Sequence, residues 1–180
     1  MHRQKLLHEL ETYFSSPIIT REEIPFFDRF IEFIKTNPDC FERSNIGHIT
    51  SSAWIINHDG TQALLTHHKK FNVWVQLGGH NDGDPDCAAV ALKEAEEESG
   101  IEGLKLVSTD IFDIDIHAIP NQCTFHYDIR YLIRAPKNAQ YIVSDESHAL
   151  AWVPLDRIEK FSKEASIVRM VKKFKNLALQ

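Results

Sequence analysis

The sequence predicts a single α/β (α+β) domain, a mixed sheet with helices inserted, preceded by a helical N-terminal arm. Three observations carry that expectation. Apolar residues recur at helical spacing through residues 1–45, and then give way to short strand-like runs bounded by Gly, Asp and Pro. Helical stretches interrupt and follow those runs. No repeat, low-complexity tract or linker divides the 180 residues, a length that supports one well-formed core.

In the arm, "QKLLHELETYF" sets Leu6, Leu7, Leu10 and Phe14 at helical spacing. Thr20 is placed to cap a second helix, with Glu23 as its capping-box partner, and Pro25 restarts or kinks that helix. Phe27, Ile31 and Ile34 are then expected to face the body of the protein. From Ile46 onward, two strands flank Asp59-Gly60, a pair that favours a tight hairpin turn. "VWVQL" is a further apolar strand that leads into Gly78-Gly79. "LKLVSTDIFDIDIHAI", "CTFHYDIRYLIRA" and "ALAWVPL" are strand-like, and an amphipathic helix covers roughly residues 163–174. Trp74 and Trp152 are expected to be packing residues.

Composition narrows the function. The chain is 43% hydrophobic with 11 Phe, and its 20 Lys+Arg against 26 Asp+Glu leave a net charge of −6. Without a basic stripe, clamping of a long nucleic-acid backbone is disfavoured. Cys40, Cys87 and Cys123 form neither a zinc pattern nor a disulfide framework, which suits a reducing compartment. The polar N-terminus does not read as a signal peptide, and no apolar run is long enough to span a membrane, so the cytoplasm is expected.

The stretch with the most chemistry is "GGHNDGDPDCAAVALKEAEEESG". Asp84-Pro85 reads as a helix start. At 100° per residue, Ala88, Ala91, Leu92 and Ala95 share a close-packing face. Glu94, Glu97 and Glu98 fall on the adjacent face, while Glu96 points nearly opposite, into solvent. Like charges at i+3 and i+4 repel, and negative charge near a helix C-terminus opposes the helix dipole. A divalent cation offsets both penalties, and hard oxygen ligands suit Mg²⁺ or Mn²⁺. Solvent-facing glutamates are the plain alternative.

This arrangement resembles the Nudix box, a glycine and a glutamate followed at fixed spacing by Arg-Glu, an aliphatic residue, Glu-Glu, Gly and an aliphatic residue. Set on Gly79, the pattern meets Glu94, Ala95, Glu97, Glu98, Gly100 and Ile101 in register. It departs at Pro85, where the box has its early Glu, and at Lys93, where it has Arg. The resemblance implies an α/β/α sandwich over residues 46–180, with residues 1–45 as a helical extension. It implies Gly79, Glu94, Glu97 and Glu98 as ligands of Mg²⁺ or Mn²⁺. Catalysis would rest on Glu94, Glu97 and Glu98, with Glu146 as an additional carboxylate or base. Lys93 with Asp86 or Asp84 would make a shorter substitute for the missing pair.

Alternation places Asp113, Asp115 and His117 on one strand face, and His126, Asp128 and Arg130 on one face of the next strand. Together with His80, the residues His117, His126, Asp128 and Arg130 are candidates for substrate contact; an ordinary solvated sheet face is the alternative. The activity implied by the resemblance is hydrolysis of a phosphoanhydride in a nucleoside diphosphate linked to another group. The rivals are a non-catalytic nucleotide- or protein-binding domain and an isoprenoid-diphosphate isomerase. The expected partner is a small nucleoside diphosphate derivative, without membrane association, and a homodimer is compatible with this reading.

Overall fold

In the computed structural model, which describes residues 2–44, 46–119 and 124–178, one eight-stranded mixed sheet lies between two layers of helices. The helices are α1 (His2–Phe14), α2 (Ile24–Thr36), α3 (Cys87–Ser99), α4 (Ile158–Phe161) and α5 (Ala165–Ala178). The strands are β1 (Gly47–Ile56), β2 (Gln62–His68), β3 (Val73–Val75), β4 (Leu77–His80), β5 (Lys105–Leu106), β6 (Asp113–Ala118), β7 (Phe125–Arg134) and β8 (Ser147–Pro154). Cys123 lies outside the described residues.

β1 is the organising strand, and every residue in it is buried. β7 runs parallel to it over its whole length, from Gly47↔Phe125 to Ile56↔Arg134. On its other side it pairs antiparallel with β4 and, beyond the Asp59-Gly60 turn, with β2. Helices cover both faces, which is why β1 reads as a continuous rather than an alternating pattern. On one face, Leu6, Leu10, Phe30, Phe33 and Ile34 of α1 and α2, with Ala88 and Ala91 of α3, pack on Ile49, Ile129 and Tyr131. On the other, Ile167, Met170 and Phe174 of α5 pack on Trp54, Ile56 and Leu132. The expected α/β/α sandwich with a helical extension is present.

Three local expectations are corrected. Helix α2 starts at Ile24, with Pro25 in its first turn and Glu23 in the cap position. Glu23 does accept the Thr20 amide at 2.9 Å, but across a turn that precedes the helix. The buried face of α2 is Phe30, Phe33 and Ile34, while Phe27 and Ile31 are only half-buried. "VWVQL" is two strands broken at Gln76, so that β3 pairs with β2 and β4 with β1. Gly78 and Gly79 therefore belong to a strand.

A buried ionic chain ties the two ends of the protein together. Lys173 of α5 lies 2.6 Å from Glu23 and 3.0 Å from Asp113, and Tyr13 of α1 donates its hydroxyl hydrogen to Glu23. Asp113 also takes Arg169 at 2.8 Å and Arg130 at 3.1 Å. Glu23 and Asp113 have no exposed surface.

Candidate active site

The helix that carries the glutamates begins two residues later than its sequence start signal. Asp86 is the N-cap of α3 and accepts the Ala89 amide at 3.2 Å, while Asp84 accepts the Asp86 amide at 2.9 Å. Gly100 ends the helix in the left-handed conformation, φ 64°, donating its amide hydrogen to Glu96. A side chain would strain that position. Ala91 and Ala95 lie flat on the sheet. Their small size brings α3 close enough for its next face to reach β4.

Glu94 and Glu98 make that approach. The Glu94 carboxylate fills the space where a side chain at position 79 would begin, so any larger residue there would displace that carboxylate. Gly78 donates its amide hydrogen to Glu98 Oε2 at 3.1 Å. Burial pushes the Glu98 carboxyl up to about 7; the Gly78 amide holds it back, and Glu146 and Glu94 push it further. Burial also raises Glu94, opposed by Lys93 and reinforced by Glu97, Glu146 and Asp82. Glu146 is exposed just before β8, and its charge acts on both carboxylates. Two half-buried acids under mutual repulsion make a site that is short of positive charge.

Glu96 and Glu97 are both exposed. Glu97 meets Lys93 at 3.6 Å, an i,i+4 pair with both side chains more than half exposed. Asp86 instead meets Lys5 at 3.3 Å. The expected Lys93–Asp86 pair is therefore not formed, because the two residues sit two helical turns apart and each has a nearer partner. Asn81 braces the loop instead: it donates to the Asp84 carbonyl at 2.7 Å and accepts from Ser51 Oγ at 2.8 Å. Exposed i,i+4 pairs contribute about 0.3–0.5 kcal/mol, and an order with Lys first is the weaker one. Lys93→Ala is accordingly expected to change the melting temperature by no more than roughly 2 °C. A fall of several times that in a thermal melt would restore Lys93 as a structural tie.

The paired strands β6 and β7 do form the polar wall, with Asp113↔Arg130, Asp115↔Asp128 and His117↔His126 in register. Its two ends differ. Asp128 and Arg130 are 1% and 2% exposed. Asp128 accepts from Thr50 Oγ1, Ser52 Oγ, Gln76 Nε2 and Arg130 Nε. Arg130 also reaches Asp113 and Asp115. Both are locked in structural contacts, which corrects their assignment as substrate ligands. At the open end, His126 and His80 approach His48 of β1, and His117 rests on Asp115 at 3.3 Å. Burial lowers His80 to about 4, with Arg43 and His48 adding, and lowers His126 to about 3, with His117, His48 and His80 adding.

Two residues of this region escaped sequence reasoning. His48 takes its place through the parallel register with His126, a long-range pairing with no local signal. Arg43, in the loop after α2, is gripped by Asp82 through two hydrogen bonds of 2.6 and 2.7 Å, and it senses the charges of Glu94 and Glu146. Cys87 faces Asn81 rather than the glutamates, and burial pushes its thiol up to about 12. Trp74 stacks on His67 and Trp152 packs on the core, as expected. A cavity of about 760 Å³ lies elsewhere, between α1, residues 107–112 and α5, and no glutamate of α3 lines it.

Among solved structures, the fold is similar to an Ap4A hydrolase of C. elegans (TM-score 0.64, 18% identity, 73% of this chain and 97% of that one). It is also similar to a NUDIX-family hydrolase of Clostridium perfringens (TM-score 0.58, 21% identity, 72% and 97%). A UDP-X diphosphatase aligns over 97% of this chain and 93% of its own, at 12% identity and a TM-score of 0.56. Comparison with curated proteins finds no match. Residues 48–174, well over half of the chain, match the NUDIX domain, and the chain belongs to the NUDIX family.

Proposed function

We propose that the protein hydrolyses a phosphoanhydride bond in a nucleoside diphosphate linked to a second group, using Mg²⁺ or Mn²⁺. The observation that carries this reading is the pair Glu94 and Glu98, half-buried against Gly79 and Gly78 with raised proton affinity. These residues fit a hard divalent cation: their donors are carboxylate oxygens, and their burial and mutual repulsion are only partly offset by Lys93 and the Gly78 amide. Glu97 joins the set once it gives up its loose contact with Lys93. When bound, the cation supplies charge against the diphosphate oxygens and acidifies water.

The chain's own groups do the rest. Glu98, raised by burial in the metal-free protein, can take a proton from an attacking water where it does not itself hold the cation, whose charge would pull its proton affinity back down. Glu146 is the second candidate for that role, from the facing loop. Arg43, oriented by Asp82, offers a planar pair of donors to a phosphate. His117, its side chain 42% exposed, is open to the outer part of a substrate, with His126 and then His80 packed edge-on behind it. The division into an extension, 1–45, and a catalytic domain, 46–180, belongs to the same proposal, with Arg43 as the extension's contribution to the site. No helix among the described residues is long and apolar enough to cross a membrane, and action in the cytoplasm remains part of the proposal.

Of the rivals, the isomerase needs dedicated Cys and Glu residues, and the two cysteines among the described residues, Cys40 and Cys87, are both buried, with thiols pushed up to about 11 and 12 by that burial. A panel of nucleotide sugars, ADP-ribose, dinucleoside polyphosphates and nucleoside triphosphates, with phosphate-containing products separated by chromatography, tests the proposal. Turnover is expected on nucleoside diphosphate derivatives with Mg²⁺ or Mn²⁺, and none after EDTA treatment and desalting. Metal binding without any turnover would leave a binding module, and full activity without metal would overturn the role of the glutamates.

A further inference from the structure

We infer that His48, His80 and His126 form a second cation site, one that takes a borderline divalent ion such as Zn²⁺ or Co²⁺ rather than Mg²⁺. His48 lies at the start of β1, His126 at the start of β7 and His80 at the end of β4. Because β7 runs parallel to β1 and β4 antiparallel to it, these three ends meet at one edge of the sheet. His48 sits directly across from His126, and His80 sits across from Thr50, two residues along the same face. Among the described residues, this is the one group of three or more His, Cys, Asp or Glu whose donor atoms all lie within 4.8 Å of each other. The carboxylates of α3 are not gathered so tightly.

Packing alone does not account for the arrangement. His48 is 4% exposed, yet neither of its ring nitrogens completes a hydrogen bond of ordinary geometry, although Ser44 acts on it through its backbone. Nε2 of His126 is buried without a partner as well. Buried polar atoms are nearly always paired, so two neighbouring rings with unpaired nitrogens call for a ligand. The ring centroids are 4.8 to 5.1 Å apart, with tilted or edge-on planes. Nitrogens bound to tetrahedral Zn²⁺ at about 2.0–2.1 Å lie roughly 3.4 Å from one another. Small ring rotations of about an ångström would close the set.

Donor chemistry separates the two sites. Imidazole nitrogen suits Zn²⁺, Co²⁺ and Ni²⁺, whereas carboxylate and carbonyl oxygen suit Mg²⁺ and Mn²⁺. Three protein nitrogens also leave a coordination position for water or a substrate atom. An ion here would pin the ends of three strands beside the loop of residues 81–86 that leads into α3. It would thereby stiffen the approach to Glu94 without touching it.

Titrating the chelator-stripped, full-length protein with Co²⁺ tests the inference, since nitrogen ligation in low coordination gives a visible ligand-field band. One equivalent is expected to produce the band, Zn²⁺ to abolish it and excess Mg²⁺ to leave it unchanged. Zn²⁺ is also expected to raise the melting temperature. His80→Ala, at a half-buried position, and His126→Ala are each expected to weaken Co²⁺ binding by roughly 100-fold or more, the upper limit for loss of a mere supporting group. Glu98→Gln is expected to keep the band, which separates this site from the proposed hydrolytic one. Melting curves without metal confirm that each variant is folded. No band, a band that survives both histidine substitutions, or a band lost only in Glu98→Gln would each overturn the assignment.

Discussion

Glu98→Gln is expected to lower turnover by about 10²- to 10⁴-fold, the range for loss of a positioned acid–base group, while making the metal-free protein more stable above neutral pH. The two effects share one cause. Folding raises the Glu98 carboxyl from 4.5 to about 7. Between those values the folded state holds more protons than the unfolded state, so stability falls as pH rises. The contribution is fully present below pH 4.5, is lost on the way to about pH 7 and is flat above that. Its size is at most roughly 3 kcal/mol, from 1.36 kcal/mol per unit. Glutamine keeps an acceptor for the Gly78 amide but never ionises, so the variant escapes the loss. Melting temperatures in EDTA from pH 4 to 8.5 are therefore expected to diverge, with the variant on top at the alkaline end. Parallel curves would show that the folded protein does not disfavour the Glu98 charge. Glu96→Gln, on the solvent side, is the control, with turnover close to that of the parent.

Lys173→Met is expected to produce the largest loss of stability, about 3–5 kcal/mol, or roughly 6–20 °C in melting temperature. Of the two acids that Lys173 serves, Asp113 keeps Arg130 and Arg169. Glu23 has no other cation within ion-pair distance among the described residues, and it is fully buried. The cost is therefore mainly that of an uncompensated carboxylate. Combining Lys173→Met with Glu23→Gln removes both charges and is expected to recover much of the loss, since a buried pair replaced as a unit is often nearly neutral. A double variant no more stable than Lys173→Met, measured by denaturant or thermal unfolding, would place the cost in packing rather than in charge.

Much of this molecule was legible because its signals are local. The periodicity of α3, the Asp59-Gly60 turn and the alternation that pairs β6 with β7 each depend on residues a few positions apart. The roles of Asp128 and Arg130 were misjudged for the opposite reason. Alternation places a side chain on a face but does not say whether another layer covers that face, and here α5 and its Arg169 do. The Lys93–Asp86 expectation failed because a family pattern was carried over after both of its members had changed. His48 could not have been chosen in advance, because its neighbour is 78 positions away and the pairing is parallel. Glu94 and Glu98 were separated from Glu96 by helical angle alone, but the exposure of Glu97 depends on how far α3 is rotated on the sheet.

The contact between Glu23 and Lys173 spans 150 positions, and a chain made from its N-terminus completes those two residues at very different times. While the sheet strands are being synthesised, Glu23 has no ammonium to accompany it out of water. Helices α1 and α2 thus gain a reason to stay undocked until α5 emerges, with Leu6, Leu10 and Phe30 waiting for the surface they will cover. A product that stops short of position 173 is expected to leave Glu23 without its ammonium and that apolar face more open to proteases. Sealing of the first helices is thereby made to depend on α5, which supplies the lysine that Glu23 needs.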